Sequence, residues 1–502
     1  MRPTALLCWS LTVVPNLVAQ TDPKVAGFDA YAAKAAKDWG AVGLAVAVVK
    51  DGKTVFAKGY GVRELGKPDP ANENTLFSIG STTKAMTAAA IGMLVDEGRV
   101  RWDDPVTKHL PWFQLSDPYV TREITVRDLL AHRAGLANGD VLWYRTDNSP
   151  AEVLRRARFI PMAYSMRSSF IYQNVMYATA GAVIAAASGM SWERFVETRI
   201  FEPLGMSRTV ATLAGTAGKP NVASPHQRVA GEIRVISNAS VDPVAPAGAV
   251  WSSVSDMARW AAFMIDSGRV NGRPLLQPAT WAELFKPQAM VPPAQFYPTR
   301  QLTKPHWMTY GLGWFQHDYQ GRMLQFHTGS IDGMVAIIGI IPEERLGVYV
   351  LGNLDHLEVR HALLYRALDT WLGTGTRDWS AELRILYGGI AAAQDSGAAR
   401  AERARITGTK PSLALAKYAG TYTDSLVGAV EIRVEEGGLG LNIGSQLHAR
   451  IDHWHYDTFE ARWDNGWQGT DLVTFTLNAA GAVDGLWYAG RRLGRSASIP
   501  PT

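Results

Sequence analysis

The sequence predicts an α/β (α+β) protein: one sheet drawn from distant segments, a helical region inserted within it, and a small all-β barrel after it. Three observations predict this. Strand patterns stand at both ends of a long segment, Gly43–Lys50 and Lys53–Gly61 before it and Met323–His327, Met334–Ile341 and Leu346–Leu351 after Tyr310. Between them the apolar periodicity is helical, over Ala85–Glu97, Val126–Ala131, Val175–Ser188, Trp192–Phe201 and Val254–Ile265. Past Pro411 the texture changes to short strands separated by Gly, Asp and Asn turns.

Taken in order, the amino terminus reads as a secretory signal peptide over residues 1–20. Arg2 supplies the positive start, Ala5 to Val14 is mostly apolar, and Val18-Ala19 precedes polar Gln20-Thr21-Asp22. Pro15 and Asn16 interrupt it, so it is too short to span a membrane. Cys8, the only cysteine, lies inside it. Cleavage leaves neither a disulfide nor a catalytic thiol, and the mature chain is expected to be exported, periplasmic or extracellular. The 502 residues suggest two or three domains. We place a first domain over 21–375, a helix and linker over 376–411 and a barrel domain over 412–502. A net charge of +4, with no Lys/Arg-rich block, gives no reason to expect nucleic acid as a partner. No later run is long and apolar enough for a stable membrane span.

Asp51-Gly52 supplies the tight turn between the first two strands. A helix from about His356 to Leu372 follows the last strand of the sheet. The barrel strands read as Tyr418–Tyr422, Val430–Val434, Leu439–Ile443, Thr458–Trp463, Leu472–Leu477 and Gly485–Tyr488.

Chemistry enters at Ser81-Thr82-Thr83-Lys84, the one place where a serine stands three residues before a lysine. On a helix these positions share a face, so hydroxyl and ammonium can meet. Burial at a helix start lowers a lysine pKa and lets the amine take the serine proton. The run Ala85 to Leu94 is nearly all apolar, which places Lys84 at the foot of a buried helix. The competing reading is a helix-start serine and a solvated lysine.

A nucleophile needs a proton shuttle and an oxyanion site. Tyr172-Gln173-Asn174 is the only Tyr-x-Asn. A tyrosine becomes a base where a cation such as Lys84 depresses its pKa, and Asn174 can orient both Lys84 and a substrate amide. His327-Thr328-Gly329-Ser330 ends a strand whose edge can run antiparallel to a bound peptide. The backbone N–H groups of Ser81 and Ser330 can then converge on a developing oxyanion. Taken singly, these patterns also suit a core tyrosine, a capping asparagine and a strand-to-turn junction.

Jointly and in this order, the motifs resemble those of the serine β-lactamase and penicillin-binding-protein superfamily. The branch is that of class C β-lactamases, D-alanyl-D-alanine carboxypeptidases, D-aminopeptidases and esterases. Leu129-Leu130-Ala131-His132-Arg133-Ala134-Gly135-Leu136, Pro246-Ala247-Gly248 and Tyr310-Gly311-Leu312-Gly313-Trp314 extend the resemblance, which covers approximately Phe28 to Leu372. It implies a β-lactamase/transpeptidase-like antiparallel sheet flanked by helices, and a Ser81 nucleophile. Lys84 and Tyr172 would be its base and acid pair, Asn174 a substrate ligand, and His327, Thr328, Gly329 and Ser330 the substrate-binding strand edge. The segment from about Ser412 to Gly494 is similar to a lipocalin-like barrel often appended to such hydrolases.

One departure sets the substrate expectation. His327 stands where β-lactamases carry lysine, and a histidine is cationic only below its pKa. His-Thr-Gly is common in the peptidase and esterase members. The expected activity is therefore that of an exported serine hydrolase acting on peptides or amides with D-residues, cell-wall-derived ones among them, or on small esters. A β-lactamase and a non-catalytic binder of cell-wall fragments are the alternatives. Ala131-His132-Arg133-Ala134-Gly135, where relatives usually show Thr-His-Thr-Ser-Gly, is read as structural. Substrate choice is assigned to the loops Gly139–Pro150 and Lys286–Trp307, with Trp143, Tyr144, Phe296 and Tyr297 as candidate pocket residues. No cofactor or metal is expected, since His453 and His455 supply only two ligands. The sequence leaves the oligomeric state and the role of the barrel open.

Overall fold

The computed structural model describes residues 22–496; the expected signal peptide, with Cys8, lies outside the described residues. An eight-stranded antiparallel sheet forms the centre of the first part of the chain. Its strands are β1 (Gly43–Lys50), β2 (Lys53–Gly61), β3 (Ala289–Met290), β4 (Met308–Tyr310), β5 (Phe315–Tyr319), β6 (Arg322–Ile331), β7 (Met334–Ile341) and β8 (Leu346–Gly352). Their spatial order is β2-β1-β8-β7-β6-β5-β4-β3. N-terminal β1 pairs with C-terminal β8, Val46 opposite Val350, so the sheet closes around everything between. Helices cover both faces, which is why β7 and β8 are buried along their whole length and read as unbroken apolar runs.

Side chains alternate across the sheet. Leu44, Val46 and Val48 pack with Phe28 of α1 (Pro23–Asp38). Ala45, Ala47 and Val49 face the opposite core, with Ala85 of α2 (Thr83–Asp96). Helix α1 was not expected from sequence. Its alanines Ala32, Ala35 and Ala36 make a narrow buried stripe with Phe28, a weak apolar signal. Pro23 at its first turn and the Asp22 side chain, which accepts from the Lys24 N–H, mark its start.

The inserted region holds α3 (Asn174–Ser188) and α4 (Val254–Ile265), which lie where the periodicity predicts them. Trp192–Phe201 departs from the expectation of one α-helix. It is α-helical over Trp192–Val196 and widens to a π-turn over Glu197–Phe201. After β8, α5 (Val359–Leu372) covers the α1 face, and α6 (Trp379–Arg403) runs 25 residues through the segment expected to hold helix and linker.

The C-terminal part is a closed antiparallel barrel: β9 (Gly420–Asp424), β10 (Gly428–Glu435), β11 (Gly438–Ile443), β12 (Leu447–His455), β13 (Thr458–Trp463), β14 (Thr470–Leu477), β15 (Val483–Tyr488) and β16 (Arg491–Arg495). It closes where Tyr422 and Thr423 of β9 pair with Arg495 and Gly494 of β16. Strands β12 and β16 were not anticipated. In β16 only Leu493 is buried, among three arginines and a glycine. The barrel has its own core, which includes Tyr418, Tyr422, Leu441, Phe475 and Leu486.

Candidate active site

Ser81 sits in a single 3₁₀ turn, Gly80–Thr82, that leads into α2. The turn is pressed against β6. Gly80 has φ 49°, and a Cβ there would lie 2.8 Å from the Ser330 nitrogen. A Cβ at Gly329 would lie 2.0 Å from the Ile79 oxygen and 3.0 Å from the Ser81 nitrogen. Only two glycines allow this approach, which brings the backbone amides of Ser81 and Ser330 into one neighbourhood.

Lys84 is fully buried on the first turn of α2. Its Nζ lies 3.0 Å from Ser81 Oγ, 2.7 Å from Asn174 Oδ1 and 2.8 Å from the Ala247 oxygen. Burial holds its pKa well below the usual lysine value, and Asp140 partly opposes that shift. A neutral amine has two N–H bonds and one lone pair. Asn174 Oδ1 and the Ala247 carbonyl can only accept, so they use both N–H bonds and leave the lone pair to the Ser81 hydroxyl.

Tyr172 precedes α3 with its ring 4.6 Å from Lys84 Nζ. Its hydroxyl is buried and lines the same cavity as Ser81. Burial, the largest influence, drives its pKa well above the ordinary phenol value, and the Ser81 hydroxyl lies near enough to pull it down in part. This reverses the sequence expectation that Lys84 makes Tyr172 a base. Desolvation, which depresses the lysine, raises the tyrosine, so the phenol stays protonated and can serve only as a donor or relay.

Asn174 opens α3. Its Nδ2 donates to Asp140 Oδ1 at 2.9 Å while its Oδ1 accepts from Lys84. Asp140 also accepts from Trp143 Nε1 at 2.7 Å.

Residues 327–330 divide by strand parity. Pairing of β5 with β6 ends at Phe315–Phe326, which leaves the edge of residues 327–331 free on that side. Thr328 and Ser330 line the cavity, whereas His327 is buried and does not. His327 Nδ1 donates to the Thr328 oxygen at 2.6 Å, and Nε2 accepts from the Tyr310 hydroxyl at 3.0 Å. Burial, the largest influence, pushes its pKa down to about 3. It is a neutral strut rather than a contact for a substrate carboxylate. Gly329 makes room for the Ser81 turn.

The cavity measures about 470 Å³ and is lined by Ser81, Asp140, Trp143, Tyr144, Tyr172 and Asn174, with Phe170, Tyr297, Phe315, Thr328, Ser330 and Asp332 among the rest. Of the aromatics assigned from sequence, Trp143, Tyr144 and Tyr297 face it; Phe296 packs instead against Phe315 and Phe326. A larger groove of about 610 Å³ beside α4 carries none of the motif residues. Among the described residues no cluster of three or more His, Cys, Asp or Glu side chains can hold a metal ion.

Sequence reasoning missed Asp140, the Ala247 carbonyl and Arg360. Arg360 is buried on α5 and donates to the Gly329 oxygen at 2.7 Å and Ser330 Oγ at 2.8 Å. Asp140 stood inside a loop already assigned to the substrate. Arg360 had no local signal.

The family model described as Beta-lactamase matches residues 28–370. The chain belongs to the β-lactamase family. Its fold is shared with solved penicillin-binding-protein-like structures. It resembles the octameric penicillin-binding protein homologue from Pyrococcus abyssi with a TM-score of 0.62 and 24% identity, over 93% of this chain and 99% of that one. It resembles SurE with a TM-score of 0.56 and 22% identity, over 94% and 99%. In sequence it is 29% identical to the unguisins hydrolase ungD of Aspergillus violaceofuscus (strain CBS 115571), over 91% of this chain and 83% of the relative. It is 26% identical to Protein flp of Staphylococcus aureus (strain MW2), over 62% and 60%. A second family model, Domain of unknown function (DUF3471), matches residues 404–492, the barrel. Among the described residues no single helix is long and apolar enough to cross a membrane.

Proposed function

We propose that this member of the β-lactamase family is an exported serine hydrolase. It forms a Ser81 acyl-enzyme with peptides or amides containing D-residues, or with small esters. The observation that carries the reading is the contact set of the buried Lys84 Nζ, 3.0 Å from Ser81 Oγ with its other two neighbours pure acceptors, so that the neutral amine has its lone pair left for the Ser81 proton. In the first step Ser81 Oγ attacks the acyl carbon as Lys84 takes its proton. The backbone amides of Ser81 and Ser330 receive the oxyanion, and the protonated Tyr172 relays a proton to the leaving group. Water then repeats the sequence on the acyl-enzyme. The name of the ungD relative supports hydrolysis.

The neutral, buried His327 disfavours the β-lactamase alternative, because no cation from that position reaches the cavity to meet a β-lactam carboxylate. The intact Ser81, Lys84, Tyr172 and Asn174 network disfavours a non-catalytic binder of cell-wall fragments.

The test is a panel of D-amino-acid amides, D-Ala-D-Ala peptides, p-nitrophenyl esters and nitrocefin on the mature chain and its Ser81→Ala variant, with mass spectrometry after fluorophosphonate treatment. Amide or ester turnover that Ser81→Ala abolishes, with an adduct on Ser81, is expected. An adduct absent from Ser81 would remove the mechanism, and nitrocefin as the best substrate would favour the alternative.

A further inference from the structure

The loop between Gly139 and Asn148 has two faces. Asp140, Trp143 and Tyr144 line the cavity. The Tyr144 hydroxyl donates to both oxygens of Asp332 at 2.9 Å, and Arg145 grips the same carboxylate through Nε at 2.9 Å and Nη2 at 2.6 Å. The other face meets the barrel. Val141 packs against the barrel core. Asp147 accepts from the Ser445 backbone N–H at 2.6 Å and from Ser445 Oγ at 2.7 Å, and Gln446 Nε2 donates to the Thr146 oxygen at 2.9 Å. The Arg145 guanidinium lies 5.4 Å from the centre of the Trp467 ring. Gly444 completes the fit: its φ is 58°, and a Cβ there would lie 2.7 Å from Asp147 Oδ2.

Arg145 itself holds φ 50°, a left-handed conformation that a non-glycine residue keeps only where its surroundings over-determine it. Here Asp332 is fixed on one side and Trp467 on the other. From the loop the connection runs inward, Asp140 to Asn174 Nδ2 and Asn174 Oδ1 to Lys84 Nζ. Five consecutive residues, Trp143 to Asp147, thus tie a barrel turn to the wall of the cavity.

We propose that the barrel is a positioning element of the active site. Its Gly444–Gln446 turn and Trp467 pin the loop, and the loop fixes Asp332 and, through Asp140 and Asn174, the amine of Lys84. This deepens the serine-hydrolase reading and rests on it for its kinetic consequence. Asp147, Ser445 and Gln446 touch no reacting atom; they act through the loop.

Asp147→Ala, Asp147→Asn and Gln446→Ala in the full chain test it. An asparagine can still accept the Ser445 N–H and donate to Ser445 Oγ, whereas alanine can do neither. Asp147→Ala is expected to lower kcat on a p-nitrophenyl ester about ten- to a hundredfold, with a smaller change in KM. It should slow fluorophosphonate labelling of Ser81 by the same factor, while Asp147→Asn stays near wild type and Gln446→Ala falls between. Hydrogen exchange reads the pinning without reference to activity: amides of residues 140–148 should exchange faster in Asp147→Ala, with the barrel strands unchanged. Wild-type loop exchange and kinetics in Asp147→Ala would overturn the proposal, as would equal losses in the alanine and asparagine variants. A wild-type chain that never labels at Ser81 would count against the acyl-enzyme reading instead, and loop exchange would still decide whether the barrel pins the loop.

Discussion

Lys84 must satisfy two carbonyl acceptors and has one hydroxyl left over. If it is the base, its essential property is loss of a proton, which arginine cannot imitate. Lys84→Arg should therefore be as inactive as Lys84→Gln, each at least about a hundredfold below wild type in kcat/KM. Activity retained in Lys84→Arg would mean that charge, not basicity, is needed. The active form is the deprotonated one, so kcat/KM should rise with pH through the Lys84 pKa and then level. Because burial lowers that pKa, the rise should finish well below the usual lysine range. A rate still climbing at pH 10 would contradict it. Ser81, Lys84, Tyr172 and Asn174 were legible in sequence because each pair is joined by a short fixed spacing. The role of His327 was legible only in part: its motif marked the strand, but parity puts Thr328 and Ser330 in the cavity and turns His327 away. Asp140 and Arg360 act across gaps of 34 and 30 residues, to Asn174 and Ser330, and no local pattern encodes such pairings.

Among elements, the decisive contact is that of β6 with the Ser81 turn. Gly329→Ala would set a Cβ against main-chain atoms of Ile79 and Ser81, which cannot swing aside as a side chain can. Loss of Ser81 labelling with the barrel still folded is the expected outcome, followed by mass spectrometry and circular dichroism; wild-type labelling would show that the approach is not needed. Arg360 braces the same strand from α5, paired with Glu358 at 3.1 Å. Arg360→Ala leaves the mostly buried Glu358 carboxylate with only His361 Nε2, at 3.3 Å, in place of the guanidinium and should cost up to about 3 kcal/mol in urea unfolding, with part of kcat recovered in Arg360→Lys. An unchanged unfolding midpoint would argue that Glu358 is otherwise compensated. At this scale the sequence showed the elements whose period is unbroken, such as the β1–β2 hairpin, whose turn residues Asp51 and Gly52 take φ 54° and 75°. It did not show β16, whose strand depends on closing the barrel against β9 rather than on its own side chains.

Over the whole molecule, buried histidines and separate cores decide how stability is distributed. His132, His317 and His327 are all buried, and burial lowers the pKa of each: well below the usual value for His132, to about 4 for His317 and to about 3 for His327. Between pH 6.5 and 4 the unfolded chain binds protons at these sites and the folded chain does not, so stability falls as pH falls, by up to about 2 kcal/mol per histidine at pH 5. All three belong to the first part of the chain, whose two cores share the sheet and should melt together. The barrel core contains none of them. Calorimetry should therefore resolve two transitions, with the one from residues 22–403 moving down sharply between pH 7 and pH 5 and the barrel's moving less. Leu441→Ala supplies the converse. Its side chain is fully buried in the barrel, and a leucine-to-alanine cavity costs about 3 kcal/mol, worth on the order of 15 °C in a domain of this size. That shift should fall on the barrel transition, while ester hydrolysis at 25 °C persists for as long as the Gly444–Gln446 turn holds its loop. A single transition that both perturbations move equally would mean that the barrel and the hydrolase unfold as one unit.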